Sequence, residues 1–490
     1  MLCVALLSVC TVAFGSLLGA VAWAATAVLV VPGTGTPNPG PVENYQNNAV
    51  GYYVAPTGAC AHGCTATPVP YIAQLWPVPL PGWGGLEGAT WDHSVASGVG
   101  SLNRVYGATD KSSPVVMFGY SQGASVVSVV KRQLAETPGG VPDNLSFTLI
   151  ANPSRPNGGL FARFSSLSFF SPVGLGFTFG PGAPTNTSNS VNTTDVALQY
   201  DGVSDFPAYP VNLLAVANAL AGFAYVHGTY LAPKASDPKT DTPFGYTPDE
   251  VKAAVAAATQ KCTAANYCQV SGDTRYVTLP ARILPIMVPL LDFGQATGTT
   301  ALFRPVVDLI SPATRVLIET GYSRDDYGRQ TPFGLVPLVN PFTLAGDLAK
   351  GAVEGVYEAA TGTGDASRYL APKPTAPQQV SPAQSERAIT SPQTTPVSRG
   401  TNTPHDTATN APATTVEPNT PELNAGAKTS EPTLTVVPKT ATPQSHRGET
   451  TPDTPEPTKT DRAESERANS PETGASARAS GTEPGTRAAA

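Results

Sequence analysis

One stretch constrains the fold of this chain more than any other: PVVMFGYSQGASVVSVVKRQLA, Val115 to Ala135 with the preceding Pro114. Val115 to Phe118 is a short apolar run suited to a buried strand. Val126, Val127, Val130 and Leu134 recur at helical spacing with no internal glycine or proline, which predicts a helix. Between them lies Gly119-Tyr120-Ser121-Gln122-Gly123. A serine with glycines two before and two after it, set between strand and helix, is the pattern of a nucleophile elbow. The turn is so tight that neighbouring side chains collide unless they are small, and Gly119 and Gly123 remove the collision. Ser121 is thereby exposed above the sheet edge. The helix N-terminus beneath it offers partial positive charge and free N–H groups where an oxyanion would form. Five such residues arise by chance in Gly- and Ser-rich chains, so the flanking strand and helix carry the weight.

A nucleophilic serine needs a base, and the order of the chain narrows the choice. Of five histidines, His62 and His93 precede the serine, while His405 and His446 lie in a tail that should not fold. His227 remains. Thr194 to Tyr200 predicts a strand, followed at once by Asp201-Gly202-Val203-Ser204-Asp205. Tyr209 to Tyr225 predicts an apolar helix, closed by His227-Gly228. Acid, helix, histidine, all after the serine, is the order of triad partners in α/β hydrolases. Either Asp201 or Asp205 suits the acid, with a slight preference for Asp201. Upstream, Ala27 to Val31 predicts the first strand, and it runs into Pro32-Gly33-Thr34-Gly35. A Gly/Thr loop in that place is where such hydrolases keep a second oxyanion donor, here the Thr34 N–H beside that of Gln122.

Other segments are plainer. Residues 40–90 read as loops with one short strand near Tyr71 to Trp76. Asp92 to Tyr106 predicts a small-residue helix capped by Asp92 or Ser94, with His93 at the surface. Leu145 to Ala151 and Tyr276 to Leu279 predict further strands. Residues 154–192 interleave turn residues with Phe161, Phe164, Phe169, Phe170, Phe177 and Phe179, which serve either as apolar surface for a ligand or as core. Thr247-Pro248-Asp249-Glu250 opens an Ala-rich helix. From Ile283 to Ala360, helical segments broken by prolines suit a cap over the site, an apolar face for lipid, or plain core.

The ends set the domain plan: residues 1–25 a signal peptide or membrane anchor, 26–362 the folded domain, 363–490 a disordered tail. Residues 1–25 hold no charged side chain and are long enough to cross a bilayer. Ala22-Trp23-Ala24 resembles a signal-peptidase site, although the basic n-region is missing. Either reading exports the domain. The tail is rich in Thr, Pro and Ser and cannot bury enough apolar surface to fold. A net charge of −7 with no basic block argues against nucleic acid as a partner. Cys60 with Cys64 and Cys262 with Cys268 form close pairs suited to local disulfides; His62 alone does not make a zinc site of the first pair. No metal or cofactor is expected.

The elbow GYSQGA is similar to that of cutinases, in which the glutamine after the serine supplies an oxyanion N–H. Wider agreement, in VVPGTGTPNP, DHSVASGVGSL, FGYSQGA, QYDGVSDFPAYPVNLLAVANALAG with YVHGTY, and LIETGYSRDD, resembles the PE-PPE domain family of mycobacterial serine hydrolases from about residue 27 to about residue 345. The resemblance implies a cutinase-like α/β-hydrolase fold with a mostly parallel central sheet flanked by helices. It also implies a triad of Ser121, Asp201 or Asp205, and His227. Members are esterases on short and medium acyl esters, and some resemble acyltransferases acting on trehalose glycolipids of the cell envelope. The expected partners are therefore a lipid or acyl-ester substrate, a trehalose glycolipid among them, and the membrane or envelope. This chain starts with an apolar segment where many members carry a PE or PPE domain. A rival reading keeps the scaffold and drops the chemistry: a surface interaction or lipid-binding protein.

Overall fold

The computed structural model describes residues 24–166, 176–233 and 242–370. All but the last two residues of the apolar leader, Phe169 and Phe170, and the tail beyond residue 370 with His405 and His446 lie outside them. Among the described residues no helix is long and apolar enough to cross a membrane.

The strands are β1 (Thr26–Val31), β2 (Cys64–Pro68), β3 (Val115–Tyr120), β4 (Leu145–Ile150), β5 (Thr193–Leu198), β6 (Cys268–Ser271) and β7 (Thr274–Leu279). They form one sheet in the order β2-β1-β3-β4-β5-β7-β6. Every pairing is parallel except the hairpin β6-β7 at one edge. The longer helices are α1 (Trp91–Ala108), α2 (Gln122–Glu136), α3 (Leu213–Tyr225), α4 (Pro248–Gln260), α5 (Val288–Thr297), α6 (Thr300–Glu319), α7 (Pro341–Thr361) and α8 (Asp365–Leu370).

Parallel strands covered on both faces need apolar side chains on both, which is why β1 and β3 read as unbroken runs rather than alternating ones. Their alternation sorts the core instead. Leu29, Val31, Val115 and Met117 face α1 and α2, meeting Leu102, Val126, Val127 and Val130. Val28, Val30, Val116 and Phe118 face the other way, against Tyr45, Tyr53 and Val251, Val255 of α4. A third cluster joins α3, α5, α6 and α8 around Tyr200, Leu284 and Ile318. Of the proline-broken segments after Ile283, α5 and α6 thus pack on α3 and the end of β5, and α7 packs on α6. The strand order is an α/β-hydrolase arrangement with its reversal between β1 and β3, and open parallel sheets bind ligands at the strand C-termini near such a point. β3 ends there, at Tyr120, and Ser121 follows.

Several local expectations need correction. Tyr71 to Trp76 is no strand; the edge strand is Cys64–Pro68. With prolines at 70 and 77, the segment is held by α1 side chains and loop carbonyls instead: the Ile72 and Gln74 N–H groups donate to Ser97 and Ser94 Oγ (3.1 and 3.0 Å), and the Tyr71, Leu75 and Trp76 N–H groups to the Pro37, Trp83 and Ala89 carbonyls. Thr90, not Asp92 or Ser94, caps α1. Helix α3 begins at Leu213, not Tyr209, under an Asn212 cap. Thr247 and Glu250 form a capping box on α4. Cysteines 60 and 64, and 262 and 268, are joined as disulfides, so the first pair offers no thiolates to a metal. His93 is exposed. Phe161, Phe164, Phe177 and Phe179 pack on one another, on Trp91 and on Phe333.

Candidate active site

Ser121 sits between β3 and α2 with φ 54° and ψ −119°. A non-glycine residue in this region costs about 1–3 kcal/mol and persists only where the surroundings impose it. They do so here by close packing. A Cβ on Gly119 would stand 2.6 Å from the Ala124 Cα, and one on Gly123 would strike the Val31 and Pro32 carbonyls. The helix therefore enters hard against both strands, and the bend between them throws the hydroxyl outward.

The hydroxyl meets the imidazole there. Ser121 Oγ lies 2.8 Å from His227 Nε2, although 106 residues separate them. On the far side of the ring, Nδ1 lies 2.9 Å from Asp201 Oδ1 and 3.2 Å from Oδ2. Ser121 is 8% exposed and His227 7%, so the pair is sheltered but reachable, while Asp201 is fully buried. Phe223 stacks on the His227 ring at 5.8 Å and 20°. The Tyr120 hydroxyl donates to the His227 carbonyl.

Asp201 is held from several directions. Its carboxylate accepts from the Val203 N–H (3.0 Å), the Ser204 hydroxyl (2.7 Å) and the Tyr230 hydroxyl (2.9 Å). Burial pushes the Asp201 carboxyl up, but the facing His227 and the bonds from His227, Ser204 and Val203 outweigh it and hold it below the usual carboxylate range. Burial, then the charge of Asp201, raises the Tyr230 phenol well above its ordinary value, so it stays a donor. Asp205 goes elsewhere. It accepts from the Tyr200 N–H at 2.8 Å and pairs with Arg324, and its contacts do not include His227.

The oxyanion candidates flank the hydroxyl. Gln122 opens α2, so its N–H has no acceptor one turn back. Its side chain is locked: Oε1 accepts from Ser94 Oγ at 2.8 Å and Nε2 donates to the Gln74 carbonyl at 3.0 Å. The loop after β1 passes close by, since a Cβ on Gly33 would stand 3.2 Å from the Ser121 Cβ. In that loop the Gly33 N–H donates to the Tyr45 hydroxyl (3.1 Å) and the Gly35 N–H to the Ala73 carbonyl (2.8 Å). Thr34 lies between them, and among the described residues its N–H has no such acceptor.

The structure thus brings Ser121, His227 and Asp201 into one hydrogen-bonded line and leaves Asp205 out of it. Sequence reasoning missed Ser204, Tyr230 and Tyr120, which hold the acid and the imidazole, and gave Ser94 a cap it does not make. Ser204 was within sight, lying between the two candidate acids. Nothing in the spacing singled out the tyrosines.

A model of the PE-PPE domain matches residues 63–323, more than half of the 490 residues of the chain. The chain belongs to the PE-PPE domain family. Ser121, Asp201 and His227 fall inside the matched PE-PPE segment, and Thr34 precedes it. The chain is similar to two proteins of Mycobacterium tuberculosis named PPE family protein PPE42 and Esterase PE16. It is 36% identical to PPE42 over 62% of this chain and 46% of that protein, and 36% identical to PE16 over 64% and 52%. It spans about half the length of these relatives. Diacyltrehalose acyltransferase Chp2, also from M. tuberculosis, is 28% identical over 67% of this chain and 84% of that one. A cutinase-like protein from Cryptococcus sp. aligns at 20% identity over 38% of this chain and 81% of that one, with a TM-score of 0.25, too low to add to what the strand order shows.

Proposed function

We propose that this protein is a serine esterase or acyltransferase that works through an acyl-serine. The observation that carries the reading is the continuous line from Ser121 Oγ through His227 to Asp201, set on a strained elbow at the mouth of a parallel sheet. In the reaction His227 Nε2 takes the Ser121 proton as Oγ bonds to an ester carbonyl carbon. Asp201 orients the ring and stabilises the imidazolium, and the Gln122 and Thr34 N–H groups receive the oxyanion. The C–O bond to the leaving alcohol then breaks, and His227 returns the proton to the departing oxygen. Water, or a sugar hydroxyl, gives a proton to His227 and attacks the acyl-serine, regenerating the hydroxyl.

The names of PE16 and Chp2 support both outcomes, hydrolysis and transfer. Export through residues 1–25, a place in the cell envelope and a glycolipid substrate complete the proposal; they rest on the uncharged leader and on the relatives. The test is turnover of 4-nitrophenyl acyl esters by wild type and Ser121→Ala. Removal of the hydroxyl should lower kcat by about 10⁴ to 10⁶, and equal rates would end the reading in favour of a non-catalytic scaffold.

A further inference from the structure

Helix α3 carries no charged residue (LLAVANALAGFAY). Its buried side, Ala215, Asn218, Ala219 and Gly222, presses on the body of the fold. Its outer side is apolar as well: Leu213 is 76% exposed, Leu220 61% and Phe223 38%. Three and seven positions apart, they form one stripe, where a surface helix ordinarily shows polar residues.

The stripe runs into the active site. At its end Phe223 stacks on the His227 ring. Trp83 meets Phe223 edge-on, with centroids 6.2 Å apart at 89°. Trp83 also fills the space over Gly35, where an added Cβ would stand 2.9 Å from its Nε1. Gly33 in the same loop abuts Ser121, and Ser121 bonds His227. These contacts run in a circuit from Ser121 through His227, Phe223 and Trp83 to the Gly33–Gly35 loop and back to Ser121, with Phe223 exposed and Trp83 half-buried.

We propose that Trp83, Phe223 and Leu220 form the acyl-chain subsite, so that an ester with its carbonyl at Ser121 lays its hydrocarbon tail along the outer face of α3 towards Leu213. This rests on the esterase reading and names its specificity-determining residues. Three observations single out a hydrocarbon occupant. The stripe starts on the ring that touches the catalytic imidazole. The other exposed positions of the helix, Ala217 and Ala224, add neither charge nor a side-chain hydrogen-bonding group, because the polar Asn218 is turned inward and accepts from the Ile286 N–H. The stripe also extends about 15 Å from Phe223 to Leu213 at 1.5 Å rise per residue. Shorter acyl groups would touch the aromatic pair only.

The experiment compares 4-nitrophenyl octanoate with 4-nitrophenyl acetate, and adds calorimetric binding of the octanoate to Ser121→Ala, which cannot turn it over. Phe223→Ala should lower the octanoate-to-acetate ratio of kcat/KM about tenfold. Leu220→Ser, at a position too exposed to threaten folding, should lower it about threefold. Added to Ser121→Ala, Phe223→Ala should weaken octanoate binding about tenfold. If both esters are turned over and neither substitution moves the ratio, the subsite is wrong and the esterase reading stands. If neither ester is turned over but octanoate binding still depends on Phe223, the subsite stands and the esterase reading falls. Equal losses at both chain lengths overturn the subsite.

Discussion

At the scale of single residues, two aspartates four positions apart have opposite duties. Asp201 faces the imidazole, whereas Asp205 anchors Arg324 and the Tyr200 amide. Asp201→Asn should cost about 10⁴ in kcat, as loss of the orienting carboxylate does elsewhere. Asp205→Asn should instead cost about 1–3 kcal/mol of stability, softened because Arg324 keeps Glu319 as a partner at 3.0 Å. Ester kinetics beside thermal melts of the two variants separate these outcomes. The lowered pKa of Asp201 adds a pH signature. Its folded value lies below the unfolded one of about 3.9, so the ionised form contributes stability that is fully present above that value and is lost as pH falls through the folded value. The melting-temperature gap between wild type and Asp201→Asn should therefore shrink as pH falls below about 3.9. Tyr230→Phe is a milder cut. It removes a donor to Asp201 and the acceptor of the buried Leu198 N–H at 2.7 Å, and should cost about 1–3 kcal/mol in a melt. Sequence alone supported only a slight preference for Asp201, because the partner that draws Asp205 away is Arg324, 119 residues downstream.

At the scale of elements, what is local was readable and what is lent by distant side chains was not. The strand, elbow and helix around Ser121 follow from β-branched residues, small residues and 3.6-residue spacing within one window. β5, α4 and the Thr247 cap are equally self-contained. The stretch from Tyr71 to Trp76 misled because its aromatic and apolar content suits a strand, while its N–H groups bond serines of α1 and the carbonyls of Pro37, Trp83 and Ala89 rather than a neighbouring strand. β6, only Cys268–Ser271, is too short to show a period. Close packing gives a sharp prediction here: Gly123→Ala places a methyl against two carbonyls of the β1 end, so it should abolish ester turnover and lower the melting temperature. The disulfides close loops of four and six residues outside the triad. Reducing them should cost about 2 kcal/mol each, by loop-closure entropy, and leave the Ser121 to His227 geometry intact; a reductant that lowers the melting temperature while sparing turnover is the expected result.

Across the whole molecule, the sheet gathers loops from the ends of β1, β3 and β5 and from beyond α3 at one edge, and chain order alone pointed to that convergence. The folded part runs past the expected boundary at residue 362, since α8 (Asp365–Leu370) packs into the third core cluster; the proline-rich composition beyond residue 370 points to a segment without catalytic duty, so a chain ended at residue 370 should hydrolyse acyl esters at the wild-type rate. The helices after Ile283 were harder to place from sequence, since an apolar helix looks the same whether it covers a site, a lipid or a neighbour; α5 and α6 pack on α3 by their inner residues, while α6 and α7 keep Leu302, Leu309, Phe342 and Val356 exposed. All of this serves one claim, that the Ser121 hydroxyl is activated by His227. Treating the protein with a fluorophosphonate and locating the adduct by mass spectrometry tests it most directly. The account predicts a single adduct on the peptide carrying Ser121, lost in Ser121→Ala and strongly slowed in His227→Gln. An unlabelled Ser121 in folded wild-type protein, or labelling indifferent to His227, would contradict it.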